Sequence, residues 1–433
     1  MKEVTLPEAF AKIDPSDLAD FLKDSIPSSV EAIVSKLVEY FGIALSGVCV
    51  EYKYPWPDMN NLTSLIDFPF RYIPEPVYKT AADWIGKAEK KTLGNFICRS
   101  FEWTSRFAGE PEPTDPKSQL GVFAVLSMIL RSRPLVLYPI LPLLRPPIYH
   151  LEDEPEMIPW TVWMTAQVAQ LDLCIGLHSW ARNLLPLVRD KLQCNPRSMD
   201  LIMQFIQNVL SHPKARAILL PNAARKGVPR LFPIPSFEIL LPLTFPASFE
   251  RGNVSKRFEA VYPLLKEVAL ADAPGIEEME EITRHIFAFS LKFAGEGNSV
   301  LAKEATSIAI WCLTKNVYCC NHWDIVYMDN LEASVALLQN LVDEWKDHSL
   351  KLSSSPRDTR ILNLTMKNFV LKNERGLAGG GASTFLYEEA DKYCKEISRR
   401  LSRGNGFLKG CGAMILVAVV TAASVVLSSS LLD

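Results

Sequence analysis

The sequence predicts an all-α protein: a helical-repeat-like (α-solenoid) or irregular multi-helix body, plus one C-terminal transmembrane helix. Three observations predict it. Apolar residues recur at helical spacing through most of the chain, and strand-type alternation over five or more residues is hard to find. The 30 prolines cluster between these apolar runs and inside several of them. From Gly410 through Leu432 there is no charged side chain, a run long enough for a helix to cross a hydrocarbon core of roughly 30 Å. Hydrophobic residues at 48% and charged residues at 22% are the values of a globular chain with a sizeable core.

The elements follow in order. Asp14, Pro15 and Asp17 supply an N-cap, a first-turn proline and an acid at N3, which start a helix through Phe21 and Leu22. Val30, Val34, Leu37, Val38 and Phe41 then recur on one helical face. The apolar run Leu120 to Leu144 is interrupted at its centre by Arg131 and Arg133, after which come Pro134, Pro139 and Pro142, so each half is too short to span a bilayer. Each such charge would cost about 2.5–3.5 kcal/mol at the bilayer centre. The run therefore reads as a buried core hairpin. Pro142 and Pro186 lie in similar apolar settings at a HEAT-like spacing, but Pro263 is further off. Stacked helical hairpins and a single irregular bundle both remain open. Asn298 precedes a periodic run through Val300, Leu301, Ala305, Ile308 and Trp311. Leu331, Val335, Leu338, Val342 and Trp345 form the clearest helical stripe.

Residues 1–348 are thus expected to form the all-α body. Residues 349–383 read as a Ser/Gly-rich flexible linker with a polar middle, bracketed by Ser349 to Pro356 and Gly376 to Ser383. Residues 384–405 read as a basic amphipathic juxtamembrane helix, with Phe385, Leu386, Tyr393, Ile397 and Leu401 along one side. Lys392, Lys395, Arg399, Arg400 and Arg403 on it, with Lys409 just beyond it, are the juxtamembrane cations, each worth about 1 kcal/mol on an anionic leaflet when well placed. Residues 406–432 are the span, marked by Gly410, Met414, Ile415, Val419, Val426 and Leu432. The cations on its N-terminal side place the preceding body in the cytosol, as in a tail-anchored protein. The start of the chain has no apolar segment of signal-peptide type.

Signals for chemistry are sparse. A net charge of −3 gives no reason to expect nucleic-acid binding. The 9 cysteines, an odd number without regular spacing, argue against a disulfide framework. The 6 histidines are scattered, and the sequence contains no HExxH, nucleophile elbow, Walker loop or GxGxxG. Cys312, Cys319, Cys320 and His322 form one local cluster, but adjacent cysteines strain a tetrahedral metal site and no orienting element accompanies them. They read as buried thiols beside a partly exposed histidine. Trp160, Trp163, Trp180, Trp311, Trp323 and Trp345 read as core aromatics. No cofactor and no metal are expected.

Several strings carry a family resemblance: IPEPVYKTAADWI (73–85), TVWMTAQVAQLDLCIGLHSWARNLLPLV (161–188), PSFEILLPLTFPAS (235–248), RFEAVYPLLKEVAL (257–270), GEGNSVLAKEATSIAIW (295–311), NLEASVALLQNLVDEWKDHS (330–349) and SRRLSRG (398–404). They resemble the plant branch of the transmembrane protein 214 family, over almost the whole chain. The resemblance implies an endoplasmic-reticulum membrane protein with a large cytosolic helical region. It also implies a link to stress-induced cell death, where the animal member is assigned the role of a procaspase anchor. Members usually begin with a long charged arm and continue to a second span, so this chain reads as a short form. Plants lack the animal caspase, so the anchor-and-scaffold role carries over better than the procaspase role. The expectation is a non-enzymatic adaptor on the cytosolic face of the endoplasmic reticulum, binding protein partners and, through its C-terminal segments, membrane lipid. The alternatives are a trafficking or tethering factor, or a membrane-tethered enzyme with a site around Cys319, Cys320 and His322.

Overall fold

The computed structural model describes residues 4–24, 31–48, 61–108, 116–144, 157–189 and 195–402. The expected span, with Gly410, Met414, Ile415, Val419, Val426 and Leu432, lies outside the described residues, as do Arg403 and Lys409. Among the described residues every regular element is a helix, and strand-type pairing is limited to the isolated bridges Val4–Val48 and Arg225–Val228. No single helix among them is long and apolar enough to cross a membrane.

The chain folds as two compact units, one of Met1–Thr244 with Gly252–Asp272 and one of Phe245–Arg251 with Ala273–Asp433. The single body expected over residues 1–348 is therefore divided, and its division does not fall at residue 349.

In the first unit the helix after Asp14 forms as its cap signals predict, over Pro15–Asp24, with the Asp14 carboxylate accepting from the Ser16 N–H at 2.7 Å. Helix α1 (Glu31–Ala44) packs against α2 (Pro116–Ser132). Their close crossing requires glycine: a Cβ on Gly121 would lie 2.8 Å from the Gly42 backbone nitrogen. Beyond α2 the chain turns through Pro134–Val136, α3 (Leu137–Ile140) and a 3-10 turn at Leu141–Leu144. The two arms of this apolar run, Gln119–Ser132 and Pro134–Leu144, are bent by 100°. A bent pair of this kind can pass for a broken membrane span by composition, but Arg131 shows how it is held inside protein. The Arg131 guanidinium is 13% exposed, donates to the Ile66 carbonyl, Asp67 and Gln167 at 2.7–2.9 Å, and lies over the Phe70 ring. A buried guanidinium is tolerated only when its donors are used in this way.

Helix α4 (Met157–Ala169) is apolar nearly all round, and nearly all of it is buried, as such a sequence requires. Trp160 and Trp163 stack at 4.7 Å within it, and Trp163 Nε1 donates to the Phe68 carbonyl at 2.7 Å. Helix α5 (Leu173–Ser179) starts on Asp172, whose carboxylate accepts from the N–H groups of Cys174 and Ile175. It runs on through a π turn at Trp180–Leu184 into α6 (Leu185–Arg189). Helices α7 (Pro196–Ser211) and α8 (Asn253–Ala269) complete the framework around the site. The pairing of α1 with α2, and of Leu62–Ile66 with α4, joins helices distant in sequence. A stacked solenoid pairs neighbours, and these two pairings are not of that kind.

The second unit packs more locally. Helices α9 (Ile276–Ala294), α10 (Ser299–Lys315) and α12 (Leu331–Asp343) contact one another, and α11 (Cys319–Val326) lies on α13 (Pro356–Gly379). The α13 helix corrects the linker expectation for residues 349–383. Ser355 is its N-cap, accepting from the Asp358 N–H at 3.1 Å, with Pro356 in the first turn. Gly380, at φ +65°, ends it. Gly376 is small because the Tyr387 ring occupies the space a Cβ would take, 2.5 Å away. Residues 384–402 then form α14.

Candidate functional site

The first unit contains a cleft of about 1060 Å³, walled by α3, by the segment from Ala169 to His178, by the end of α7 and by Ile218 to Leu231. Its position follows from the π turn. Pro186 has no N–H to give, and in a regular helix its ring would press on the carbonyl four residues back. The preceding turn is wider, with the Leu185 N–H bonded to the Trp180 carbonyl, five residues back. Such widened turns recur at functional sites. Asn183 is turned inward, and its side-chain amide donates to the carbonyls of Leu141 (3.0 Å) and Leu144 (3.3 Å). That bond ties the π turn to the strand of chain that carries Tyr138.

Tyr138 and His178 stack on the cleft wall with ring centroids 4.8 Å apart and planes 25° from parallel. His178 is 3% exposed. Its Nδ1 faces the Leu231 carbonyl at 3.1 Å. A carbonyl can only accept, so Nδ1 carries the hydrogen and Nε2 is left with a lone pair. Nε2 has no hydrogen-bond partner, and neither does the buried hydroxyl of Tyr138. The Ser179 hydroxyl and Arg182 Nε, on the same turn of chain, are also buried and unpartnered. Burial lowers the His178 pKa, with nearby Arg182 lowering it further, while the backbone carbonyls of Leu231 and Arg230 act in the opposite sense. Burial raises the Tyr138 pKa, partly offset by Arg182. Both groups are therefore neutral at pH 7. Burial, aided by Asp172, pushes the Cys174 thiol on the cleft wall up to about 11, against the pull of Arg225. It is a protonated, apolar lining group and not a nucleophile.

The cluster anticipated in sequence lies in the second unit. Cys312, Cys319 and Cys320 are buried, free thiols. Desolvation raises all three: Cys319 reaches about 12, while Cys312 and Cys320 rise well above the usual thiol range. His322 is half-buried and edge-on to Phe287 at 6.4 Å, and burial, then Arg284, lowers its pKa. It lines a smaller recess of about 340 Å³ with Cys319, Glu280 and Arg284. Among the described residues no group of three or more His, Cys, Asp or Glu is placed to hold a metal. Trp160, Trp163, Trp180 and Trp323 are fully buried, whereas Trp311 and Trp345 are half-buried.

On α14, Ala390, Cys394, Ile397 and Leu401 are buried in the second unit, so Ile397 and Leu401 face protein interior. Of its cations, Lys395 pairs with Asp391 at 2.7 Å, and Arg399 and Arg400 both grip Glu396. Their hydrogen bonds hold the Glu396 carboxyl down at about 2. Arg400 also donates to the Val342 carbonyl, and Lys392 is exposed. Three of these cations thus already have anionic partners, and the buried side of the helix is not available to a bilayer.

No family model and no solved structure matches the chain. It is 24% identical over 248 residues to Transmembrane protein 214-A of Xenopus laevis, covering 57% of this chain and 32% of that protein. Transmembrane protein 214-B of the same frog is 24% identical over 245 residues, with 56% and 32% covered. The chain thus matches about a third of the length of these curated relatives.

Proposed function

We propose that this chain is a non-enzymatic adaptor, held on the cytosolic face of the endoplasmic-reticulum membrane by residues 406–432, whose helical body recruits a protein partner. The observation that carries the reading is the exposure of apolar side chains on the mutually packed helices α11 and α13. Ile325 is 77% exposed, Leu364 58% and Leu371 53%. They flank a polar bridge in which Asn368 and Lys372 both donate to Asp324, so the surface that presents them is held firmly. Apolar side chains grouped on a fixed surface are the usual mark of a protein-binding face. The names of the two frog relatives support membrane residence, and the uncharged run from Gly410 to Leu432 supplies a segment suited to it. Buried, fully protonated thiols weigh against the enzyme alternative around Cys319, Cys320 and His322. The stress-linked cell-death role implied by the family resemblance would then be exerted through recruitment.

Proximity labelling from the full chain tests this. Ile325→Asp with Leu371→Asp should remove a defined set of neighbours while the protein stays on the membrane. Deletion of residues 410–433 should release it. A body shielded from protease in sealed microsomes, or a sugar on Asn61, Asn253 or Asn363, would contradict the cytosolic orientation.

A further inference from the structure

We infer that the cleft of the first unit binds a neutral lipid bearing a free hydroxyl, with the Tyr138–His178 pair as the head-group site. The inference is independent of the adaptor reading. A volume of about 1060 Å³ sits at the upper end of ligand cavities, which span roughly 300–1,000 Å³. The cleft has the two-part character that an amphiphile requires. Leu135, Leu171 and Val228 on its wall are exposed, although they are apolar, and the neutral Cys174 thiol adds to that surface. On the same wall, His178 and Tyr138 carry buried polar atoms that nothing in the protein satisfies. Leaving such atoms unpaired is costly, and native interiors seldom do so without a use for them.

The chemistry of the pair selects the head group. Nε2 of His178 accepts and cannot donate, because the hydrogen is committed to the Leu231 carbonyl at Nδ1. The Tyr138 hydroxyl can donate or accept. An alcohol matches both at once, donating to Nε2 and accepting from the tyrosine. An ether lacks the donor, and a carboxylate would set its negative charge against a lone pair. Of the charged groups on the cleft wall, Asp67 is engaged with Arg131, Asp172 with the start of α5, and Arg225 with Asn222, while Lys90 is exposed. An anionic head group would be drawn to Lys90 and away from the Tyr138–His178 pair, a difference that competition by a fatty acid reads.

The test uses the full chain in phosphatidylcholine nanodiscs, with two diazirine photoprobes: a hexadecanol derivative and its methyl ether. Peptides containing Leu135–Pro139 or Leu171–His178 are quantified by mass spectrometry. The alcohol should label them, with a half-labelling concentration roughly 3- to 10-fold below that of the ether, the worth of one neutral hydrogen bond. Tyr138→Phe keeps the ring stack and should raise the values of both probes by a similar factor, because the oxygen of each accepts from the tyrosine. His178→Phe should abolish the difference between the two probes. Equal labelling by alcohol and ether, labelling absent from the cleft peptides, or a Tyr138→Phe variant that labels like the parent would each overturn the inference. So would stronger competition by palmitate than by hexadecanol, which would make Lys90 the head-group partner.

Discussion

Two tyrosines, one in each unit, show how differently the same side chain is used. In the second unit Tyr327 is fully buried, stacks on Phe369 at 3.9 Å and donates its hydroxyl to Asn373 Oδ1 at 2.9 Å. In the first unit Tyr138 stacks on His178 at 4.8 Å, and its buried hydroxyl has no partner. The Tyr327 hydroxyl is committed to a partner inside the fold, although Asn373 Nδ2 beside it is unpaired, while the Tyr138 hydroxyl has none and lies on a cleft wall. The same contrast separates the histidines and thiols. Cys319 and Cys320 read in sequence as buried thiols, and they are protonated core groups. His178 looks ordinary in sequence yet presents a bare acceptor.

The comparison can be broken most forcefully at Arg131, which anchors the Ile66–Asp67 side of the cleft. Arg131→Ala removes the donor to Gln167 Oε1 and the partner of Asp67, leaves the Ile66 carbonyl with Gln167 Nε2 alone, and should cost about 3 kcal/mol or more, read by chemical denaturation. In the second unit Cys319→Ala and Cys320→Ala should each cost about 1–2 kcal/mol through lost packing. Native protein should react slowly with iodoacetamide at these thiols at pH 8, because a thiol held up near 12 offers almost no thiolate. Fast reaction, or metal lost on substitution, would return the cluster to candidacy as a site.

A smaller effect is expected from pH. His178 has a lowered folded-state pKa, with Tyr138 stacked on it and Arg182 nearby. Its neutral form stabilises the fold fully above the unfolded value of about 6.5. That contribution is lost as pH falls from there through the lowered folded value, because the unfolded chain then binds the proton first. Stability measured between pH 7.5 and 5 should fall, and His178→Phe should flatten that limb. A profile unchanged by His178→Phe would remove the histidine from the account.

Much of the fold was legible in the sequence, because helix signals are local. Asp14 with Pro15 and Asn298 with its apolar run gave the starts of Pro15–Asp24 and α10 correctly. The linker expectation failed because serine and glycine serve two purposes. Ser355 and Pro356 are an N-cap and first-turn proline, and Gly376 to Gly381 make room for Tyr387 and end the helix. The Leu331 stripe also stops short of Trp345, which begins a separate helix. The site was not legible. Tyr138 and His178 lie far apart in sequence, and no spacing rule joins them. One local feature accompanies the site: Pro186 follows a widened turn, although Pro242 and Pro263 sit inside helices without one, and Arg182 and Asn183 of that turn carry buried unpaired polar atoms.

The most direct measurement is a paired one, the unfolding free energy of Tyr327→Phe and Tyr138→Phe against the parent chain. Tyr327→Phe should lose about 1–2 kcal/mol, since it strands Asn373 Oδ1. Tyr138→Phe should lose nothing, or gain up to about 1 kcal/mol, since it removes a buried hydroxyl that the free protein never satisfies. Equal losses in the two variants would show that Tyr138 is as structurally committed as Tyr327, and would contradict the account of the cleft.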